Sequence, residues 1–166
     1  EQSSMVIPEA CIDSRQVTPG SLFIALPGEH VDGHDYVKAA LEHGASLALI
    51  QRDISSPQKV LDFSNGKLPE PLVIPDPPFC IKVKDCLTVL QNTARIVRER
   101  SKVKVIGITG SVGKSTTKEV VTEVLAQRYH TLKNPGNLNN EIGLPLTLLK
   151  LGLSHERAVL EMGFYV

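Results

Sequence analysis

A chain of 166 residues, 42% hydrophobic and 22% charged, is long enough for one ordinary domain or two small ones with a buried core. Its 18 Lys+Arg balance 18 Asp+Glu, and a net charge of zero argues against a general nucleic-acid binder or anionic-membrane binder, while leaving a local anion site open. The cysteines Cys11, Cys80 and Cys86 form no close pair and read as reduced thiols of a cytoplasmic protein, and no run approaches the ~20 apolar residues that a membrane-inserted helix needs.

Taken in order, the first module predicts an α/β pattern. Leu22-Phe23-Ile24-Ala25-Leu26 is a buried strand, closed by Pro27-Gly28. A helix from about Tyr36 to His43 follows, with Asp35 as its cap and Gly44 as its stop. Ala45 to Ile50 is a second strand. Residues 51–78 carry many prolines and predict loops, with a strand near Leu72-Val73-Ile74. Phe79 to Val83 is another strand, and Asp85 caps a helix over 86–100 in which Leu87, Leu90, Ala94 and Val97 recur at helical spacing. The expected organisation is a substrate module over 1–84, a connecting helix over 85–101 and the beginning of a nucleotide module over 102–166.

The second module opens with the strand Val103 to Ile108, and a helix over about 114–127 is expected to pack Val120, Val121, Val124 and Leu125 on a sheet. A short strand near His130-Thr131-Leu132, a loop over 134–140, a helix from Gly143 to about Leu151 and the strand Ala158 to Met162 complete it. Strands that alternate with helices imply parallel sheets.

Between Ile108 and the helix lies Gly110-Ser111-Val112-Gly113-Lys114-Ser115-Thr116. Phosphates are strongly hydrated, so a protein must replace their water with many fixed donors. Gly110 and Gly113 let the backbone bend and turn its N–H groups onto them, and the helix N-terminus adds positive potential. Lys114 is placed to reach the β- and γ-phosphates, Ser115 to give its hydroxyl to Mg²⁺, and Thr116 to add a donor. Ile108 stands where the strict P-loop has its first glycine, so the match is to the shorter G-x-x-G-K-S-T form. Glu161 ends an apolar strand and is expected at the same sheet edge, as the metal-side carboxylate. Asn134, Asn137, Asn139 and Asn140 crowd one seven-residue loop, more amides than a single turn needs; turn formation and ligand binding are equally open from spacing alone. His30 and His34 lack a third ligand and do not make a metal site.

Thr109 to Thr117 resembles the ATP loop of the Mur ligases, which build the peptide stem of bacterial cell-wall precursors. Gly136 to Leu149, Asp13-Ser14-Arg15, Pro19 to Leu26, Gly28 to Tyr36 and Val159 to Gly163 resemble stretches of the same family, in the family's order. Ser115 replaces its more usual threonine and keeps the hydroxyl. The resemblance implies an α/β protein: a small N-terminal domain for a UDP-linked substrate, followed by the beginning of a P-loop ATPase domain with a parallel sheet. It also implies that the chain is the N-terminal part of a longer ligase and is inactive alone. The implied reaction is ATP-dependent formation of an amide between UDP-MurNAc-tripeptide and D-Ala-D-Ala, through an acyl phosphate. Lys114 and Glu161 would be catalytic. Gly110 through Thr116 would bind ATP, and Ser115 and Glu161 would hold Mg²⁺. Ser14, Arg15, Asn137, Asn139 and Asn140 would bind substrate. The parent is expected to be a monomer, and the open sheet edges of the piece predict self-association or disorder in its second module. Another Mur-type ligase, a P-loop kinase or a non-catalytic binder of nucleotides or UDP-sugars remains open at this point.

Overall fold

The structure is a computed structural model that describes residues 6–55, 58–67, 70–136 and 138–163. The chain forms two compact units, Glu1–Val89 and Leu90–Val166. Each is mixed α/β with parallel pairing, as the alternation of strands and helices predicts.

In the first unit the described residues form β1 (Ala10–Cys11), β2 (Leu22–Ile24), β3 (Leu47–Ile50), β4 (Val60–Asp62) and β5 (Phe79–Lys82). All pair in parallel, in the order β1-β2-β3-β5-β4. Every residue of β3 is buried, which is why this stretch reads as a continuous apolar run rather than an alternation. Phe23, Ala25, Val37, Ala40, Leu41, Ala48, Ile50 and Cys80 make the core. α1 (Val37–Glu42) contributes three of them and ends at Gly44, which takes a positive φ of 107°.

Two expectations for this unit are corrected. The cap is Asp32, not Asp35: it accepts the His34 N–H at 2.9 Å and opens a 3₁₀ turn over Gly33–Tyr36 that leads into α1. Asp35 instead accepts from Arg52 Nη2 at 2.7 Å. Leu72-Val73-Ile74 forms no strand and is exposed; Pro71 and Pro75 flank it, and each removes a backbone donor. The strand of this region is β4, a three-residue edge too short to show a period, which exists because β5 offers it a partner from Cys80 to Lys82.

α2 (Cys86–Arg100) starts at its predicted cap, where Asp85 Oδ1 accepts the Thr88 N–H at 2.5 Å. The second unit then forms β6 (Lys104–Ile108), α3 (Lys114–Ala126), β7 (Thr131–Lys133), α4 (Gly143–Leu148) and β8 (Arg157–Glu161). The strand order is β6-β8-β7, all parallel. The last strand therefore inserts between the first two. Val103, Ala158 and Leu160 form the core, with Leu132, Leu144, Leu148 and Met162 packed around them.

α3 turns a different face inward from the one its valines suggest. Val120 and Val124 are 58% and 67% exposed, and Val121 and Leu125 are half-buried. The buried stripe is Lys118 and Thr122, one helical turn apart. α3 lies against β7 and β8, and a lysine occupies its inner face because a carboxylate and a carbonyl wait there.

Candidate functional site

Parallel strands bring all their C-terminal ends to one edge of the sheet. The turn after β6, the loop after β7 and the end of β8 therefore meet, with Glu161 between the other two. The Gly110–Gly113 turn is exposed, including Ser111 and Val112. Gly113 precedes α3 at φ 80° and ψ 1°, a left-handed conformation that a side chain would strain. The first intrahelical bond runs from Thr117 N–H to the Gly113 carbonyl at 2.9 Å. The N–H groups of Lys114, Ser115 and Thr116 are thus those that a helix leaves without an internal partner, at the end that carries positive potential. Lys114 Nζ donates to the Gly110 carbonyl at 2.6 Å and lies over the turn.

Glu161 is 3% exposed and heavily engaged. Ser115 Oγ donates to its Oε2 at 2.8 Å, and Asn139 Nδ2 donates to its Oε1 at 2.9 Å. Lys118 Nζ lies 3.6 Å from Oε2. Burial opposes the charge, but the bonds from Ser115 and Asn139 and the cations of Lys118 and Lys114 outweigh it, and the carboxyl sits below the ordinary glutamate value. A hydroxyl and an ionised carboxylate side by side are hard oxygen donors. They suit a magnesium ion, which takes one or two protein ligands and completes its shell with phosphate and water.

The asparagine loop divides its labour. Asn134 is fully buried; its Oδ1 accepts the Glu161 N–H at 2.8 Å, and its Nδ2 donates to the Glu161 carbonyl at 3.1 Å and the Leu138 carbonyl at 2.9 Å. Asn140 Oδ1 accepts from the N–H groups of Ile142 and Gly143, at 3.2 and 2.8 Å, and so caps α4. A Cβ on Gly143 would stand 2.7 Å from Leu138 Cα, so only glycine lets α4 approach the loop this closely. Asn137 lies outside the described residues.

Of the expected site residues, Lys114, Ser115, Asn139 and Glu161 come together with the Gly110–Gly113 turn. Ser14 and Arg15 belong to the first unit, on a 3₁₀ turn that follows β1. Ser14 is buried, and its carbonyl faces His43 Nδ1 at 2.8 Å. Arg15 is exposed and makes two bonds to Asp13, from Nε at 2.9 Å and Nη2 at 2.8 Å. Its hydrogen bonds lower the Asp13 pKa to about 2. His34 is enclosed by structural partners: Nδ1 lies 2.6 Å from Asp32 Oδ1, and Nε2 accepts the Gln51 N–H at 2.9 Å. Cys80 and Cys86 are fully buried, and burial pushes their thiols up to about 11 and about 12, away from nucleophilic use.

The residue that sequence reasoning missed is Lys118. Its one signal was its place four residues after Lys114, on the same helical stripe.

The description of the Mur ligase family catalytic domain matches residues 7–98, and that of the Mur ligase middle domain matches residues 108–165. The UDP-N-acetylmuramoyl-tripeptide–D-alanyl-D-alanine ligase of Bacillus subtilis (strain 168) is 39% identical over 158 residues, covering 95% of this chain and 31% of the relative. The ligase of the same name from Escherichia coli (strain K12) is 37% identical over 153 residues, covering 91% of this chain and 29% of the relative. Among solved structures, MurF of Acinetobacter baumannii superposes with a TM-score of 0.76 at 32% identity, over 99% of this chain and 32% of the other. MurF ligase of Thermotoga maritima, in complex with ADP, gives 0.72 at 30% identity, over 97% and 33%. The chain thus spans about a third of the length of the relatives it matches. With residues 7–98 and 108–165 matched by these two domains and with these likenesses, the chain belongs to the Mur ligase family.

Proposed function

We propose that this chain carries the UDP-substrate module and the phosphate-binding edge of an ATP-dependent ligase that joins D-Ala-D-Ala to UDP-MurNAc-tripeptide. One observation carries the reading: the Gly110–Gly113 turn, Lys114, the Ser115 hydroxyl and the Glu161 carboxylate converge on one sheet edge. The names of the relatives supply the substrates. The ADP in the Thermotoga maritima relative supports the nucleotide.

A carboxylate is a poor electrophile because its leaving group would be oxide. Transfer of a phosphoryl group from ATP to the tripeptide carboxylate supplies a stable leaving group, which the dipeptide amine then displaces. Proteins promote such a transfer mainly by holding the groups in place and neutralising charge. Here the N–H groups of the turn and of the first turn of α3, with Lys114, bind the phosphates. Ser115 and Glu161 would hold Mg²⁺, which neutralises phosphate charge. Asn139 orients Glu161. Ser14 and Arg15 bind the UDP end; for Arg15 this means exchanging its bonds to Asp13 for bonds to a diphosphate.

The test is an assay of the intact protein with ATP, Mg²⁺, UDP-MurNAc-tripeptide and D-Ala-D-Ala. The expected result is ADP release that requires both acceptors, with loss of turnover in Lys114→Ala. ADP release with a different acceptor would transfer the site to another ligase or kinase, and binding without turnover would make it a non-catalytic module.

A further inference from the structure

The two lysines of α3 that face the site, Lys114 and Lys118, are four residues apart but differently placed. Lys114 lies over the exposed turn. Lys118 is 1% exposed, so its ammonium is closed off from any nucleotide in the turn. Its Nζ donates to the Gly136 carbonyl at 2.8 Å and lies 3.6 Å from Glu161 Oε2 and 3.7 Å from Glu119 Oε1. Glu119 in turn bonds Lys133 at the end of β7. A buried ammonium is costly to desolvate, and a buried ion pair holds a fold together no better than apolar side chains of the same volume.

We propose that Lys118 is a positioning residue of the metal–nucleotide site, acting through Glu161 and the asparagine loop. The inference rests on the reading of Ser115 and Glu161 as the magnesium-side donors. Those donors sit on different elements, Ser115 on α3 and Glu161 on β8, and Asn139, after β7, donates to the Glu161 carboxylate. An octahedral ion tolerates only small errors in the spacing of its ligands. Lys118 shares a rigid helix with Ser115, one turn away. From there it holds the Glu161 carboxylate electrostatically and the Gly136 carbonyl by a hydrogen bond. It thereby sets the distance of both from the Ser115 hydroxyl.

The test uses the intact protein, ADP, and Mn²⁺ in place of Mg²⁺. ADP affinity is measured by calorimetry in EDTA, and Mn²⁺ affinity of the ADP complex by electron paramagnetic resonance. In Lys118→Met, ADP affinity without metal is expected to stay within about twofold, while Mn²⁺ binding weakens by roughly 10–100-fold, as for other residues that orient metal ligands. Lys118→Gln, which keeps a donor for the Gly136 carbonyl without the charge, is expected to fall between. Equal Mn²⁺ affinity in the unmodified protein and Lys118→Met overturns the inference alone. An unmodified protein that binds ADP but no Mn²⁺ overturns the metal reading and the inference with it. Loss of the fold in both variants would reduce Lys118 to a structural cation and also overturn it.

Discussion

Asn134 is the most demanding side chain of the second unit, and its replacement by alanine is a quantitative test of the site's architecture. It is fully buried and makes three hydrogen bonds at 2.8–3.1 Å, two of them to the backbone of Glu161. At about 1 kcal/mol net for each bond, with a further cost for the buried Glu161 N–H and carbonyl left unpaired, the loss is about 4 kcal/mol. Small domains are stable by only about 5–15 kcal/mol, so most of the unit's margin would go. The corresponding fall in melting temperature is roughly 15–30 °C for a unit of this size. Scanning calorimetry measures the transition, and hydrogen exchange of the peptide over 157–161 reports the Glu161 amide directly. Asn134→Asp sharpens the test. It has the same shape and keeps the acceptor for the Glu161 N–H, but it loses both donations and buries a charge, so it is expected to cost at least as much as alanine. A cost under about 1 kcal/mol for either variant would refute the reasoning, because net hydrogen-bond energies of that size cannot then apply at this position.

Two further outcomes are expected. The Asp32 pKa is lowered to about 2 by hydrogen bonds from the His34 N–H and ring and from Arg52. A folded pKa below the unfolded value of about 3.9 means that Asp32 stabilises the first unit fully above pH ~4 and loses that contribution as the pH falls toward 2. The difference in urea midpoint between the unmodified protein and Asp32→Asn should therefore shrink across that window; a constant difference from pH 6 to 2.5 would count against it. Gly113→Ala places a Cβ in open space but at φ 80°, so strain without a clash is expected, about 1–2 kcal/mol, together with weaker nucleotide binding. Unchanged stability and affinity would remove the left-handed turn from the argument.

By itself the sequence determined what neighbouring residues decide. β2 and β3 are short apolar runs, which read as buried strands, and β5 begins as one with Phe79 and Cys80. α2 follows from its spacing and from Asp85. The glycines before Lys114 and the acid that ends an apolar strand are local patterns, and they sufficed to mark the turn and Glu161. The tertiary structure alone decided the rest, because each remaining feature depends on a partner distant in sequence. β4 is a strand only because β5 lies beside it. Asp32 rather than Asp35 caps its turn, while Arg52, 17 residues further on, takes Asp35. The valines of α3 look like its inner face, yet Lys118 turns inward to a carboxylate 43 positions away. Asn134 belongs to a loop that reads as one turn, and it clamps β8 27 positions later. The order β6-β8-β7 explains why: the last strand enters between the first two, and only then do the turn, the loop and Glu161 have one another as neighbours.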